Sequence, residues 1–495
     1  MKKLAAWILL AVMLTAAASC SEGARETAAA EDNVPKTELT AENTEEETEA
    51  VQIQPDLPEK DYEGYTFTIY SKGSDHPHWV AKDVYAAEET GDPIVDAVFQ
   101  RNLMIEEKYN VKIAEETSNQ WIPNITNSVN AGDDVYDLIE LHLFGVINTL
   151  AQNGLLLDLN TIPYMDLSKP WYDQNANASL SIGGKLYATT GDISIMDNDA
   201  TWVVLFNKEL ANDYSIGDMY ELVNSGKWTL DELIRLCGVA SMDLDGDGDM
   251  DEYDQWGIQN EPYNAIGFCM AAGERLIDKD ADDLPFISIG SEQFVTIYQK
   301  SVEFLTNKEI CMNYADYVNK YPGADPWTKC MDPAFSEGRV LFNVTGLNRV
   351  TMFRAMDDNF GILPIPKYEE SAENYICPVH MWCCNSISVL KSASDPERTG
   401  IIVEAMSADS MYRLTPAYYD VSLKTKFSRD NESAEMLDLI FASRAYDLGA
   451  MYNWGNIYQF TLDLVTAGNE NFASEYARIN KRVQTEIDRF IENLE

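Results

Sequence analysis

The chain has 495 residues, with 82 Asp and Glu against 36 Lys and Arg and a formal net charge of −46 at pH 7. So acidic a chain makes nucleic acid and anionic lipid headgroups poor partners, because both are polyanionic, although this global argument does not forbid a local basic pocket. With 45% hydrophobic residues it is long enough to build two ordinary domains.

Lys2 and Lys3 precede an apolar stretch from Leu4 to Ala18, too short to span a membrane and suited to the apolar region of a secretory signal. It closes on Ala17, Ala18, Ser19 and Cys20, which resembles the bacterial lipobox, where a Cys after small residues takes a diacylglycerol thioether and becomes the new N-terminus. Residues 1–19 are expected to be a lipoprotein signal peptide and Cys20 the lipidation site. The mature protein is thereby expected on the extracellular face of the cytoplasmic membrane, held by its lipid. Residues 20–61 contain no aromatic side chain and are strongly acidic, so they cannot bury enough apolar surface to offset their ordering entropy. They are expected to form a disordered tether, with the globular part starting at Tyr62.

Tyr65 to Tyr70 alternates and is rich in β-formers, and Asp92-Pro93 opens a helix whose Val95, Val98, Phe99 and Leu103 share one face. Val111 to Ile113 and Tyr136 to Leu141 read as further strands, with a helical stretch between them. Strand, helix, strand, helix, strand with short links predicts a parallel sheet covered by helices. The same grammar recurs with a strand from Thr201 to Phe206 and a capping box from Thr229 to Glu232. Strands are also predicted around residues 360–366 and 386–390, and the last hundred residues read as mainly helical. Beyond Cys20 there are seven cysteines with no CxxC pair, and the four histidines lie in no ligand-spaced cluster with them, so buried free thiols are expected rather than zinc.

The run Gly154-Leu-Leu-Leu-Asp-Leu159, Gly184-Lys-Leu-Tyr187, Leu205-Phe-Asn-Lys-Glu-Leu210, Gly226-Lys-Trp-Thr-Leu-Asp-Glu232, Phe335-Ser-Glu-Gly338 and Phe360-Gly-Ile-Leu-Pro364 is collinear with a known family. Together these segments resemble family 1 extracellular solute-binding proteins of ABC transporters, the group that includes the maltose-binding protein. The resemblance implies an α/β, two-lobed periplasmic-binding-protein-like fold (type II) with crossing hinge segments and a helical C-terminal region. It places the crossings near residues 191–202 and 360–366. The N-terminal lobe is then expected at 62–200 and 360–407, and the C-terminal lobe at 201–359 and 408–495. It also implies capture of a small solute, a sugar or oligosaccharide, by a monomer that delivers it to ABC permease subunits, with no catalysis and no organic cofactor.

Sugars present apolar C–H faces ringed by hydroxyls, so their sites pair flat aromatic rings with hydrogen-bonding side chains. Glu261-Pro262-Tyr263 matches a Glu-Pro-Tyr segment that reaches the cleft in the maltose-binding protein, which makes Tyr263 a candidate ligand contact. Trp79, His142, Trp202 and Trp382 join it because they follow predicted strands or stand at crossings, and Tyr418 and Tyr419 because the family often stacks an aromatic there. Trp121, Trp256 and Trp327 lack that placement and read as structural.

Residues 243–254 reproduce the EF-hand ladder of oxygen ligands, with Asp243, Asp245 and Asp247 at positions one, three and five and Gly248 at six. A structural Ca²⁺ site is expected, with Asp249, Asp251 and Glu252 as further ligands. Loops of this kind in alginate-binding relatives close with acids at positions nine and ten, whereas the EF-hand pattern would use Asp254, and the spacing alone leaves both open. A non-transporting glycan-sensing or surface-binding lipoprotein, or a secreted carbohydrate-active enzyme, would share the export signal and the aromatic content. Gly-x-Ser-x-Gly, His-Glu-x-x-His and P-loop motifs are all missing from the sequence. Protein made in its native host is expected to partition into detergent, and Cys20→Ala to abolish this; a mutant that partitions like the parent would remove the anchor.

Overall fold

The computed structural model describes residues 52–73, 79–419, 431–469 and 471–494. The expected signal peptide, Cys20 and most of the expected tether lie outside the described residues. The end of that tether is ordered: Ile53 donates its N–H to the Tyr412 hydroxyl at 2.8 Å, Lys60 pairs with Glu397 at 2.8 Å, and Leu57 packs on a hydrophobic core. The acidic composition misleads here because one leucine and a few polar contacts suffice to lay residues 53–61 along the first lobe. None of the described helices is long and apolar enough to cross a membrane.

Among the described residues, thirteen strands occur in chain order. The first lobe opens with β1 (Tyr65–Lys72), β2 (Val111–Ser118) and β3 (Leu138–His142). The second contributes β4 (Trp202–Asn207), β5 (Trp256–Asn260), the hairpin of β6 (Ile277–Lys279) and β7 (Pro285–Ile287), β8 (Cys311–Asn313), β9 (Val340–Gly346) and β10 (Phe360–Leu363). They are followed by β11 (Cys377–Pro378), β12 (Asn385–Ser388) and β13 (Arg444–Ala445). The first sheet has the order β12-β3-β1-β2, with β1 parallel to both neighbours and β12 antiparallel to β3. The second has the order β10-β4-β9-β5-β8, in which β5 is parallel to β8 and β9 while β4 runs antiparallel to β9 and β10.

Local chemistry sets the helix ends as the sequence predicts, although the first helix buries Ile94, Ala97, Val98 and Ile105 and leaves the predicted Leu103 exposed. Asp92 caps the helix Pro93–Tyr109 by accepting from Ile94 and Val95, and Asn110 ends it in the left-handed conformation. Thr229 caps the helix Leu230–Ala240 by accepting from the Glu232 N–H. At the C-terminus the long helix Phe472–Glu492 buries Val483, Ile487 and Phe490, and the Phe490 ring meets Tyr452 edge-on at 4.9 Å.

Two crossing segments join the sheets. Residues 190–201 lead from the first to the second, and residues 377–384 return; Thr201 and Val379 form an antiparallel bridge where they meet. His380 donates its N–H to the Ala200 carbonyl at 2.9 Å beside that bridge. The return therefore comes later than residues 360–366. β10 pairs with β4, the Trp228 indole donates to the Pro364 carbonyl at 2.8 Å, and the Tyr375 hydroxyl to the Val223 carbonyl at 3.0 Å, all of which hold residues 360–376 to the second lobe. The other boundary also moves, because helix Pro396–Tyr412 continues past residue 407 and Leu414 and Tyr418 pack with Ile94, Ala97 and Val98 of the first lobe. A strand's apolar alternation says that it is buried in a sheet and not in which one.

Candidate functional site

The carboxyl ends of parallel strands are where an open α/β sheet presents ligands. Trp79 lies beyond the end of β1, Glu261 directly follows β5, and Thr345 closes β9 with Arg349 just past it. His380 and Cys383 arrive on the return crossing. These residues line a cavity of about 210 Å³ together with Trp202, Tyr314, Asp325 and Trp327. Gly346 makes room for the first lobe's Trp79, since a Cβ at that glycine would stand 3.0 Å from the edge of the indole.

The walls are aromatic. Trp79 lies parallel to Trp202 at 6.5 Å between centroids, and Trp202 is stacked on His380 at 4.6 Å. Tyr263 meets the His380 ring edge-on at 4.1 Å. The Trp202 indole N–H is buried and has no hydrogen-bond partner among the described residues. Burial pushes His380 down to about 3, so its imidazole is neutral. The Cys383 thiol lies 3.4 Å from His380 Nδ1, and burial raises it well above the usual thiol range.

The polar side holds two carboxylates and one guanidinium. Arg349 forms an ion pair with Asp332, in which both side chains are largely buried, and its guanidinium sits 4.9 Å from the centre of the Trp327 ring. Burial pushes Glu261 up to about 7, with Arg349 and a hydrogen bond from Trp327 working against it. Asp325 accepts from the Thr328 hydroxyl at 2.8 Å and from the Trp327 N–H at 3.3 Å, which starts the turn that carries Trp327 to the cavity.

Of the sequence-predicted contacts, Trp79 and Trp202 line this cavity. Tyr263 backs it from behind, buried, with its hydroxyl toward the Val379 carbonyl at 3.4 Å. His142 is buried in β3 opposite Asn385 and is not part of the lining. Trp382 is 45% exposed, stacked on Phe144 at 4.1 Å, and lies outside the enclosed volume. Tyr418 is buried and donates to Asp199 at 2.8 Å, while Tyr419 lines a separate cavity of about 310 Å³ with Asp192, Asp197 and Arg444. Their distance from the first cavity follows from helix Pro396–Tyr412 remaining with the first lobe. Trp327, read as structural from the sequence, lines the cavity, and sequence reasoning passed over Tyr314, Asp325 and Arg349, because all four stand at no predicted strand end or crossing. The available signal was Arg349, a basic residue soon after β9 in a very acidic chain.

In the acidic loop, oxygens of Asp243, Asp245 and Asp247 lie within 4.8 Å of one another. Asp243 accepts from the N–H groups of Gly246 at 2.6 Å and Gly248 at 2.9 Å, and Asp254 spans the loop base, accepting from Leu244 at 2.8 Å and Asp251 at 2.7 Å. Glu252 does not join them: it is buried against Lys320 and Tyr321, which bind its two oxygens. A nearby lysine satisfies that carboxylate better than three like-charged neighbours could. Asp249 and Asp251 are not in the converging group either, and Asp251 lies 3.6 Å from Lys320. The loop's ladder thus survives as three converging carboxylates, and Asp254, like Glu252, stands outside that group, its oxygens accepting from backbone N–H groups at the loop base.

No protein-family model and no curated protein sequence matches the chain. Solved structures do. An ABC substrate-binding protein from Listeria monocytogenes in complex with cycloalternan has a TM-score of 0.54 at 14% identity, covering 87% of this chain and 99% of its own. The maltose/maltodextrin-binding domain from Bdellovibrio bacteriovorus bound to maltotriose has a TM-score of 0.53 at 14% identity, covering 86% of this chain and 100% of its own. A Mycobacterium tuberculosis protein in complex with glycerophosphocholine has a TM-score of 0.55 at 14% identity, covering 86% and 99%. The chain has the two-lobed periplasmic-binding-protein-like fold. That fold is the one expected from the sequence, with the return crossing later in the chain than expected.

Burial raises several carboxyls in and around the hinge and cavity: Asp192, Asp199 and Asp332 to about 6 and Asp197 and Glu261 to about 7. A carboxyl whose pKa is raised on folding contributes stability that is present below its unfolded value, near 4, and is lost as pH rises through the folded value. The apo protein is expected to melt highest near pH ~5 and progressively lower toward pH ~7.5, with Asp197→Asn flattening the trend. A melting temperature that rises over this range in scanning calorimetry would contradict these assignments.

Proposed function

We propose that the chain captures a small solute, a carbohydrate or oligosaccharide, outside the cell and delivers it to the permease subunits of an ABC importer. The carrying observation is the cavity between the lobes, where flat indole rings face ionisable and hydroxyl side chains at strand ends. A sugar needs both features at once, apolar faces for its C–H groups and donors and acceptors for its hydroxyls. Solute-binding neighbours in complex with cycloalternan and maltotriose support this reading. So does the hinge, since two lobes joined by short crossings can close on a ligand that touches both. The chain is read as a monomeric binding protein without catalytic function, anchored through lipidated Cys20.

Titration of an oligosaccharide panel, read by thermal shift and Trp fluorescence, tests the proposal. A binding sugar at about 100 times its Kd adds roughly 2.7 kcal/mol to folded-state stability, an easily visible shift. Trp202→Ala and Trp327→Ala are each expected to weaken that sugar at least about tenfold, whereas Trp121→Ala is expected to leave affinity alone. Equal binding by all three variants would place the site elsewhere.

We propose in addition that the loop of Asp243, Asp245 and Asp247 holds a structural Ca²⁺. The converging oxygens supply hard anionic donors, and Gly248, at φ +92°, permits the sharp turn. When bound, the ion would offset the mutual repulsion of these carboxylates. EDTA is expected to lower the melting temperature and Ca²⁺, but not equal Mg²⁺, to restore it, with Asp245→Ala plus Asp247→Ala erasing the response while Glu252→Gln retains it. A melting curve indifferent to EDTA would remove the metal.

A further inference from the structure

The charges around the cavity do not balance. Its lining contributes the carboxyls of Glu261 and Asp325 and one guanidinium, Arg349. That guanidinium is already committed to Asp332, whose side chain is 13% exposed and whose second oxygen is buried without a hydrogen-bond partner among the described residues. His380 is neutral in its buried place. Farther out, Lys72 of the first lobe acts on the Cys383 thiol, and Asp199 acts in the opposite sense. The immediate surroundings thus carry three carboxyls for one cation, within a chain of net charge −46.

Glu261 is the group this imbalance affects most. It lines the cavity, is half-buried there, and among the described residues is supported in its ionised form by the shared Arg349 and a hydrogen bond from Trp327. Among the described residues nothing else in the lining supplies a positive charge. Around it stand the faces of Trp79, Trp202, Trp327 and Tyr314. An aromatic face attracts a cation as well as a sugar's C–H groups, by about 0.5–2 kcal/mol depending on desolvation. Trp327 already accepts one such contact from Arg349.

Building on the carbohydrate reading above, we propose that the cavity selects a glycan bearing a free ammonium group, an amino sugar without its acyl cap, over neutral and acidic glycans. The ammonium would supply the missing counter-charge beside Glu261 while the pyranose ring lies on the indoles. A uronate or phosphorylated sugar would add a further anion to an acidic cavity whose one guanidinium is occupied, which is costly in a site shielded from water. A neutral sugar would make the stacking contacts and leave Glu261 to be neutralised by a proton instead of by the ligand.

Calorimetric titration of the full chain tests this with five probes: oligomers of glucosamine, the same oligomers N-acetylated, glucose oligomers, glucuronate oligomers, and choline. The glucosamine series is expected to bind at least about tenfold more tightly than the N-acetylated and glucose series, with no measurable glucuronate binding. In Glu261→Gln the ratio of glucosamine to N-acetylglucosamine affinity is expected to fall toward one. Asp332→Asn, which frees Arg349, is expected to lower the same ratio and to admit glucuronate; circular dichroism and melting curves verify that each variant folds. Neutral sugars binding as tightly as glucosamine, or glucuronate binding tightest, would overturn the inference and leave the carbohydrate reading standing. Choline binding with no sugar bound would keep the cation site and overturn the carbohydrate reading. Silence from every probe would overturn both.

Discussion

Everything in this molecule is arranged around the place where two crossing segments pair. The bridge between Thr201 and Val379 puts the outgoing and returning chains side by side, so both sheets end at the same seam. Arg444 reinforces it: on β13, beside β11, its guanidinium donates to Asp197 at 2.8 Å and lies 3.2 Å from Asp173. Asp197 belongs to the outgoing crossing and Asp173 to the first lobe, and Tyr446 donates to the same Asp173 at 2.9 Å. Burying charges of this kind is costly unless each is paired and hydrogen-bonded. The cost is met here where several chain segments converge, which makes the seam a specific geometry rather than a sliding contact.

The seam creates the cavity by juxtaposition. Trp202 begins β4 as the outgoing crossing ends, and His380 sits on the returning one, so their stacked rings form a floor shared by both passages. The second lobe supplies the polar wall from residues just past β5 and β9, and the first lobe adds Trp79 over Gly346. The ring of Trp79 thus spans from one lobe to the other. A rotation about the crossings would lift it away and open the site, the kind of hinge motion that few-residue connections permit.

Acidity acts differently in different places. On the outside it is solvated and steers partners by sign. In the loop after helix Leu230–Ala240 it is concentrated and shared among backbone N–H groups. At the hinge and in the cavity it is buried, and burial raises the carboxyls toward neutral pH. One composition therefore yields three physical situations that no count of residues distinguishes.

Several features were decided by local chemistry and so could be read in the sequence. Asp92, Thr229 and Asn110 mark helix ends because a cap depends only on residues a few positions away. Alternation in residues 65–70 and 201–206 announced strands, the Gly-rich Asp ladder announced its turn, and the two-lobed fold came through the family resemblance of the collinear motifs. Partner choice was another matter. Phe360–Leu363 could have paired in either sheet, and hydrogen bonds to β4 decided it; Glu252 could have faced the Asp ladder, and Lys320 decided it. Trp327 looked structural, and Arg349 drew no reading, until a turn capped by Asp325 and the end of β9 brought them against Glu261. These choices belong to tertiary structure because they rest on contacts between residues far apart in the chain, and neither periodicity nor spacing carries information about which distant side chain will be there to meet them.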